Sequence, residues 1–378
     1  PTLGAVVLYT RSGNPNVYES WAWDGSNWKK LNPPNGPNAK YGSAMAFDAG
    51  RGELVMFADT GNFDLSETWT YGPPSGLRSA WIKQSPATSP PGVNAAGSTF
   101  DQSTGTTVTF GGYNGSDFSN QTWNWDGDDW SQASPATSPS ARQNASLAFD
   151  PARGSALMYD NATWNWSGTN WTQLTPPSAP SNRTQSAVAF DPSMGELLLF
   201  GGTDSTVDFN QTWSWNGNTW TQHSPVTSPP GRANASMAFD ESSGNMVMFG
   251  GSGLDDTWIW DGSNWSPTSP ATRPPAANFP RMDFDPTTGN VVLFVGTGAS
   301  NNLLRETWVW DGQNWTEETD PDGPGRRARP TMNFDPNSGG MLMFGGYDGI
   351  QQLEETWTRE LVADPPTAEI TAPASGGS

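Results

Sequence analysis

Three polar residues stand where other copies of a repeated segment carry small residues. The position before a recurrent Phe-Asp pair is alanine or threonine in most copies, but it is Asp283 and Asn333 in two consecutive ones. Arg281 precedes Asp283 by two residues and therefore shares its face if the segment is a strand. A guanidinium, a carboxylate and an amide on one surface predict a polar site for a small ligand. The alternative is an ion pair that only fills space.

Four acidic residues form a second candidate group. Asp59 and Asp160 replace a glycine at the end of repeated apolar segments, and Asp204 and Asp208 follow shortly after such a glycine pair. Carboxylates gathered on one surface suit Ca²⁺, which prefers oxygen ligands. Aspartate is also a common turn residue, so loop structure is the alternative. No other cofactor is expected.

Several catalytic chemistries are disfavoured by composition. The chain has no cysteine, and His223 is its only histidine. Thiol chemistry is thereby excluded, and a Ser-His-Asp triad or a histidine-rich zinc or iron site is not indicated. Catalysis by carboxylates alone needs two placed acids, and no motif marks such a pair. The residues favour binding over catalysis.

The elements that position these residues come from two alternating repeated phrases. All 21 tryptophans belong to T-W-x-W-[D/N/S]-G-x-x-W or to a degenerate copy of it, and this phrase recurs roughly every fifty residues. Between its copies lies F-D-x-x-x-G-x-x-[V/L]-x-F-G-G. The apolar runs, turn residues and W-x-W alternation predict four short antiparallel strands in each repeat. Sheets of this kind become stable by stacking their aromatic faces in a β-propeller.

Two polar series accompany the repeat. A basic residue stands seven positions before most Phe-Asp pairs, and we interpret it as bonding loop carbonyls in its own blade; a ring of cations that binds an anion is the alternative. An acid or amide precedes most Thr-Trp pairs, and we expect it to bond at the start of its strand. The two series are Lys40, Arg142, Arg183, Arg232 and Arg327, and Glu19, Glu67, Gln121, Gln211, Asp256, Glu306 and Glu355.

Paired glycines, spaced tryptophans and a Pro-x-x-Arg stretch before the first strand resemble the kelch family as found in bacterial secreted and surface proteins. The resemblance covers residues 1–361 and implies an all-β propeller of four-stranded sheets. The family shares its fold with galactose oxidase, whose copper site needs a cysteine-crosslinked tyrosine and histidine ligands, whereas this chain has no cysteine and a single histidine. Eight copies of the tryptophan phrase favour eight blades. Seven is the alternative, with Thr331–Asp335 closing the ring as the innermost strand of an N-terminal blade.

Residues 362–378 are rich in Pro, Ala, Ser and Gly, which predicts a linker or the start of an immunoglobulin-like domain. The net charge of −20 works against binding nucleic acid, and no apolar run is long enough to insert in a membrane. We expect a secreted or cell-surface module that contacts a protein or a surface polysaccharide through loops of variable length. The alternatives are a carbohydrate-binding or carbohydrate-active propeller and a self-assembling subunit of an extracellular fibre.

Overall fold

A computed structural model describes the chain continuously from residue 77 to residue 363, with side chains from Arg78 to Val362. Outside that range it describes the backbone of seven further strands. Every regular element in these residues is a strand, and none of them forms a helix fit to cross a bilayer. The contacts divide the chain into two units, Ala80–Glu360 and Pro1–Ser79 with Leu361–Ser378.

The unit that contains both termini holds two antiparallel sheets. One has the order β1-β2-β3, and the other has the order β31-β6-β5-β4. Their strands are β1 (Val6–Arg11), β2 (Tyr18–Trp23), β3 (Trp28–Leu31), β4 (Tyr41–Asp48), β5 (Glu53–Asp59), β6 (Ser66–Tyr71) and β31 (Ala368–Thr371). Strand β31 lies in the segment for which the sequence predicts a linker or a following domain, and that prediction and the boundary at residue 361 remain predictions.

The unit Ala80–Glu360 is a β-propeller of six four-stranded antiparallel blades. The innermost strands of neighbouring blades contact each other around the whole ring, and that of blade 6 contacts that of blade 1. The all-β propeller of four-stranded sheets predicted from the repeat is therefore confirmed.

Five blades take their strands in sequence order from the inside outwards. Blade 1 is β8 (Gly97–Asp101), β9 (Thr106–Phe110), β10 (Thr122–Trp125) and β11 (Trp130–Gln132); blade 2 is β12 (Ser146–Asp150), β13 (Ser155–Tyr159), β14 (Thr163–Trp166) and β15 (Trp171–Leu174); blade 3 is β16 (Ala187–Asp191), β17 (Glu196–Phe200), β18 (Thr212–Trp215) and β19 (Trp220–His223). Blade 4 is β20 (Ser236–Asp240), β21 (Asn245–Phe249), β22 (Thr257–Trp260) and β23 (Trp265–Pro267), and blade 5 is β24 (Arg281–Asp285), β25 (Asn290–Thr297), β26 (Leu303–Trp310) and β27 (Trp315–Glu318).

Blade 6 closes the ring with a strand from far earlier in the chain. It contains β28 (Thr331–Asp335), β29 (Gly340–Phe344) and β30 (Thr356–Ala363), and β7 (Leu77–Lys83) is its outermost strand. The predictions of eight and of seven blades are wrong. The last repeat lacks the tryptophan that begins a fourth strand, and β7 supplies it as Trp81. The ring therefore contains the last six repeats and, from the first two, only the strand β7.

A belt of hydrogen bonds between neighbouring blades explains two residues of the repeat. The last tryptophan of each blade donates its indole N–H to the threonine of the Thr-Trp pair in the preceding blade, over distances of 2.9–3.0 Å. The pairs are Trp130–Thr356, Trp171–Thr122, Trp220–Thr163, Trp265–Thr212, Trp315–Thr257 and Trp81–Thr307. Each bond contributes about 0.5–1.5 kcal/mol. Trp81 completes this belt, which is consistent with the position of β7.

Paired glycines follow the second strand in blades 1, 3, 4 and 6, and they leave room for the next blade. At Gly201 the backbone has φ +71°, and a Cβ there would collide with the carbonyl oxygen of Arg232. The main chain of the following blade thus packs directly against this turn, which places all the second-to-third strand connections at one end of the ring. We call this the loop end.

Candidate functional site

The innermost strands surround a central cavity of about 350 Å³. Arg281, Asp283 and Asn333, the three residues that the sequence singles out, all line it. Arg281 begins its strand at the loop end, whereas Asp283 and Asn333 lie midway along adjacent strands. The structure therefore places the three residues on one cavity wall, but at two different depths.

Asp283 is held by backbone groups of two blades. Its Oδ1 accepts from the N–H of Phe284 at 2.9 Å, and its Oδ2 accepts from the N–H of Phe334 in the next blade at 2.9 Å. Burial raises the pKa of Asp283 to about 6, in spite of these two bonds. No ion pair joins Asp283 to Arg281 among the contacts of the described residues. Asp283 thus links blades 5 and 6 without neutralising a cation.

Asn333 makes the corresponding link between blades 6 and 1. Its amide N–H donates to Thr107 Oγ1 at 3.1 Å and to the carbonyl of Phe334 at 3.0 Å. Its Oδ1 is buried without a hydrogen-bond partner. The carbonyl oxygen is therefore the part of Asn333 that a ligand donor would satisfy.

Arg281 lies close to a second arginine that the sequence analysis missed. Its Nε donates to the carbonyl of Pro330 at 3.1 Å, and burial together with the charge of Arg329 lowers the pKa of Arg281 to about 10. The Arg329 guanidinium lies 3.8 Å from the centre of the Phe279 ring, and burial lowers its pKa. Within the described part of the chain neither arginine has a carboxylate within ion-pair distance. Arg281 lines the cavity and Arg329 lies beside the cavity-lining Phe279, so these two neighbouring cations without a paired carboxylate suit an anionic group.

The backbone around this cavity is left-handed at one equivalent position of every blade. These residues have φ between 53° and 62° and are Ala95, Asn144, Gln185, Asn234, Phe279 and Arg329. Some of them join neighbouring blades, since the N–H of Ala95 donates to the carbonyl of Arg329 at 2.8 Å and that of Asn144 donates to Ala95 at 2.7 Å. Non-glycine residues with this backbone are uncommon. This backbone conformation recurs around the closed ring, and at two of the six positions, Phe279 and Arg329, the residue that adopts it is large.

The basic series has the structural role that we expect from the sequence. Arg183, Arg232 and Arg327 each donate to the carbonyl of the glycine that ends their blade's second strand, at 3.0–3.2 Å. Each also donates to the acid or amide before its blade's Thr-Trp pair, as Arg232 does to Asp256. These three arginines are buried, so they do not form an anion-binding ring around the cavity.

The three candidate calcium ligands whose side chains are described do not gather around one point. Asp160 pairs with Arg142 at 3.0 Å in blade 2, whereas Asp204 and Asp208 lie in the loop of blade 3. Oδ1 of Asp204 accepts from backbone N–H groups of its own turn, and Asp208 accepts from Ser252 at 2.6 Å. The side chain of Asp59 lies outside the described residues. No group of three or more potential metal ligands occurs among the residues that were described, and calcium binding stays a prediction.

His223 lies in an outer strand, away from the central cavity. Its Nε2 is 2.8 Å from Ser214 Oγ, and its ring packs edge-on against Trp260 at 5.7 Å. Burial lowers its pKa, which favours the neutral ring. Its contacts are those of a packed side chain between blades 3 and 4.

The loop end carries three exposed apolar side chains at similar places in three blades. Phe118, Val207 and Ile350 lie in second-to-third strand loops and are 51%, 56% and 90% exposed. The loop of blade 2 is reduced to Asp160–Ala162, and a depression lined by these residues, Arg142 and Trp164 lies beside it. The loop end therefore combines exposed apolar loop tips with Arg281, which lines the central cavity at that end.

Comparisons with known proteins support the fold. No protein-family model matches the sequence, and no curated protein matches it. Among many solved structures with a similar fold is one titled "Structure of YjhT", with a TM-score of 0.53 and 15% identity, covering 76% of this chain and 99% of the other. At this identity the likeness shows a β-propeller and says nothing about activity.

Proposed function

We propose that this chain is a non-enzymatic binding module that contacts its partner through the loop end. The observation that carries this proposal is the exposure of Phe118, Val207 and Ile350 on one end of the ring. Large apolar side chains that are exposed on the second-to-third strand loops of three blades favour an interaction surface. The partner would be a protein or a surface polysaccharide.

The apolar tips belong to loops that are ordered by their own hydrogen bonds. Tyr113 donates to the carbonyl of Gly115 at 2.7 Å, and its ring packs against Phe118 at 5.7 Å. In the loop of blade 6, Tyr347 donates to Gly349 at 2.8 Å, and the Asp348 carboxylate accepts from the N–H of Ile350. A loop already held in one conformation loses little entropy on binding. This order supports recognition by preformed loops.

The finer identity belongs to the same proposal. The repeated phrases support a kelch-type propeller, and the cysteine-free, acidic composition fits a secreted or cell-surface protein. In such a protein the propeller would serve adhesion or extracellular assembly. Buried ionic and tryptophan contacts maintain the ring, and the variable loops are left for recognition.

The test is binding of the purified chain to an array of neutral and acidic glycans, with and without calcium. A variant with Phe118→Ser, Val207→Ser and Ile350→Ser removes the apolar tips. Its control carries Thr169→Ala, Asn218→Ala and Gln313→Ala, exposed positions in third-to-fourth strand turns at the other end of the ring. We expect glycan binding to be lost in the first variant and kept in the control. Equal binding by both variants would refute recognition by the loop end.

A second candidate function is binding of an acidic carbohydrate at the cavity mouth. It is favoured by Arg281 and Arg329, whose charges no described carboxylate neutralises. The unpartnered Oδ1 of Asn333 supplies an acceptor for a sugar hydroxyl deeper in the cavity. Such a sugar would be recognised by its carboxylate, which pairs with an arginine, and by a hydroxyl group, which donates to the amide oxygen of Asn333.

The second candidate is tested by thermal shift with glucuronate, with glucose as the neutral counterpart of the same ring. We expect glucuronate alone to raise the melting temperature, and Arg281→Gln and Arg329→Gln each to abolish the rise. Arg153→Gln is the control, because Arg153 is a partly exposed arginine in a first-to-second strand turn. Equal shifts by both sugars, or a shift that survives both cavity variants, would exclude this site.

A further inference from the structure

Blade 2 lacks one hydrogen-bond acceptor that the other five blades possess. In those blades the first tryptophan of the W-x-W pair donates its indole N–H to a side chain two residues earlier, at 2.7–3.2 Å. The acceptors are Gln121, Gln211, Asp256, Glu306 and Glu355. In blade 2 the corresponding residue is Ala162, and the Nε1 of Trp164 is buried with no partner. One acceptor position is therefore unfilled.

Blade 3 shows what occupies this position when it is complete. Gln211 Oε1 accepts both from Trp213 Nε1 at 3.2 Å and from the Nη2 of Arg183 at 2.6 Å. In blades 4 and 6 one carboxylate oxygen accepts in the same way from a tryptophan and an arginine. The position is thus built for one oxygen that receives two donors.

Blade 2 retains the two donors that define this position. Arg142 corresponds to Arg183, because its Nη1 donates to the carbonyl of Asp160 at 3.1 Å as Arg183 does to Gly201. The Arg142 side chain is 16% exposed, whereas that of Arg232 in the complete blade 4 is 0% exposed. The short loop Asp160–Ala162 thus leaves this position without a side chain of the blade's own, beside a depression that is also lined by Gln173.

The same depression contains an unsatisfied acceptor. Oδ2 of Asp160 accepts from Arg142 at 3.0 Å, but Oδ1 is buried and has no partner. A ligand group that satisfies both atoms must accept from the indole of Trp164 and donate to Asp160. A ligand carboxylate would be repelled by the negative charge of Asp160. An amide carries no charge and offers a carbonyl oxygen and an N–H side by side.

We infer that this depression, formed by Arg142, Asp160, Ala162 and Trp164, is a binding site for an uncharged amide group of a ligand. The amide would come from the N-acetyl group of an amino sugar or from an asparagine or glutamine side chain. Its carbonyl oxygen occupies the position that Gln211 fills in blade 3. The site is independent of the apolar loop tips and of the cavity mouth, so its failure would leave the proposed function untouched.

The unpartnered indole is tested first, without a ligand. Trp164→Phe and its matched control Trp213→Phe both remove part of a packed ring, but only Trp213→Phe also breaks a hydrogen bond, to Gln211. We therefore expect Trp164→Phe to lower the melting temperature by about 2–4 °C less than Trp213→Phe does. An equal loss in the two variants would show that Trp164 already has a partner and would overturn the inference.

The ligand class is tested by the indole N–H resonance of Trp164, assigned as the signal lost in Trp164→Phe. Acetamide and N-acetylglucosamine, at concentrations on the order of 100 mM for such small groups, should shift this signal, whereas acetate and glucose should not. A short asparagine peptide distinguishes a peptide source from a sugar source. Ala162→Gln supplies the amide within the chain and should remove the shift. The site is refuted if no amide moves the signal, or if glucose moves it equally.

Discussion

The closure of the ring by β7 predicts an energetic coupling between two residues far apart in the sequence. Trp81 donates its indole N–H to Thr307 Oγ1 at 3.0 Å, and the bond is buried between blades 6 and 5. The relevant changes are Trp81→Phe, Thr307→Val and the two together. In a ring that used all eight repeats, β7 would remain with its own repeat, and Trp81 would lie against the repeat before it.

The size of the effect follows from this bond. A buried hydrogen bond contributes about 0.5–1.5 kcal/mol, and a partner left unsatisfied costs about 1–3 kcal/mol. Each single variant should therefore lower the free energy of unfolding by about 1–3 kcal/mol. The double variant should lose less than the sum of the two losses by about 1 kcal/mol, because the second change removes a bond that the first has already broken.

The coupling is measured by urea unfolding of the four proteins, followed by tryptophan fluorescence. The control cycle combines Thr307→Val with Trp220→Phe, since Trp220 bonds Thr163 in another part of the ring. That cycle should be additive within about 0.3–0.5 kcal/mol. Additivity of the Trp81 and Thr307 changes would refute the six-bladed closure.

Two further predictions concern buried charges. Arg359 is 1% exposed and pairs with Asp285 at 3.0 Å and with Glu318 at 2.8 Å. Arg359→Met should leave a buried carboxylate without its partner and lower the free energy of unfolding in urea by about 3–5 kcal/mol. A decrease below about 1 kcal/mol would contradict this. Because the folded-state pKa of Asp283, about 6, lies above its ordinary value, the folded protein holds a proton that the unfolded chain releases, and stability falls as the pH rises from about 4 to about 6. In Asp283→Asn this part of the pH dependence of stability should disappear, and an unchanged stability profile would contradict the assignment.

Local features of the fold are predictable from the sequence because each repeat carries its own copy of the residues that specify them. The W-x-W alternation and the Asp-x-x-x-Gly turns specify strands and their order, and the blades have those strands. The number of blades is not predictable in the same way, because a count of the repeats does not show which repeats form the closed ring. The informative residue is Arg359, which stands where other blades carry a second tryptophan and after which no further tryptophan follows. That missing strand is the signal for a strand supplied from elsewhere.

The candidate sites were only partly predictable for the same reason. Departures from the repeat identified Arg281, Asp283 and Asn333, and all three line the cavity. Arg329 was missed because its position varies among blades, so no consensus makes an arginine conspicuous there. Ala162 was missed because a small residue attracts no attention until the structure shows that its equivalents accept a hydrogen bond. Sequence patterns reveal unusual groups more readily than absent ones.

Recognition by the loop end is tested most directly by glycan-array binding of the wild-type chain, the loop-end variant and the opposite-end control. We expect reproducible binding of one glycan class by the wild type and the control, and its loss when Phe118, Val207 and Ile350 are replaced by serine. Binding that survives in the loop-end variant but is lost in the control would place recognition at the other end of the ring and contradict the proposed function. A blank array for the wild type would contradict a polysaccharide partner.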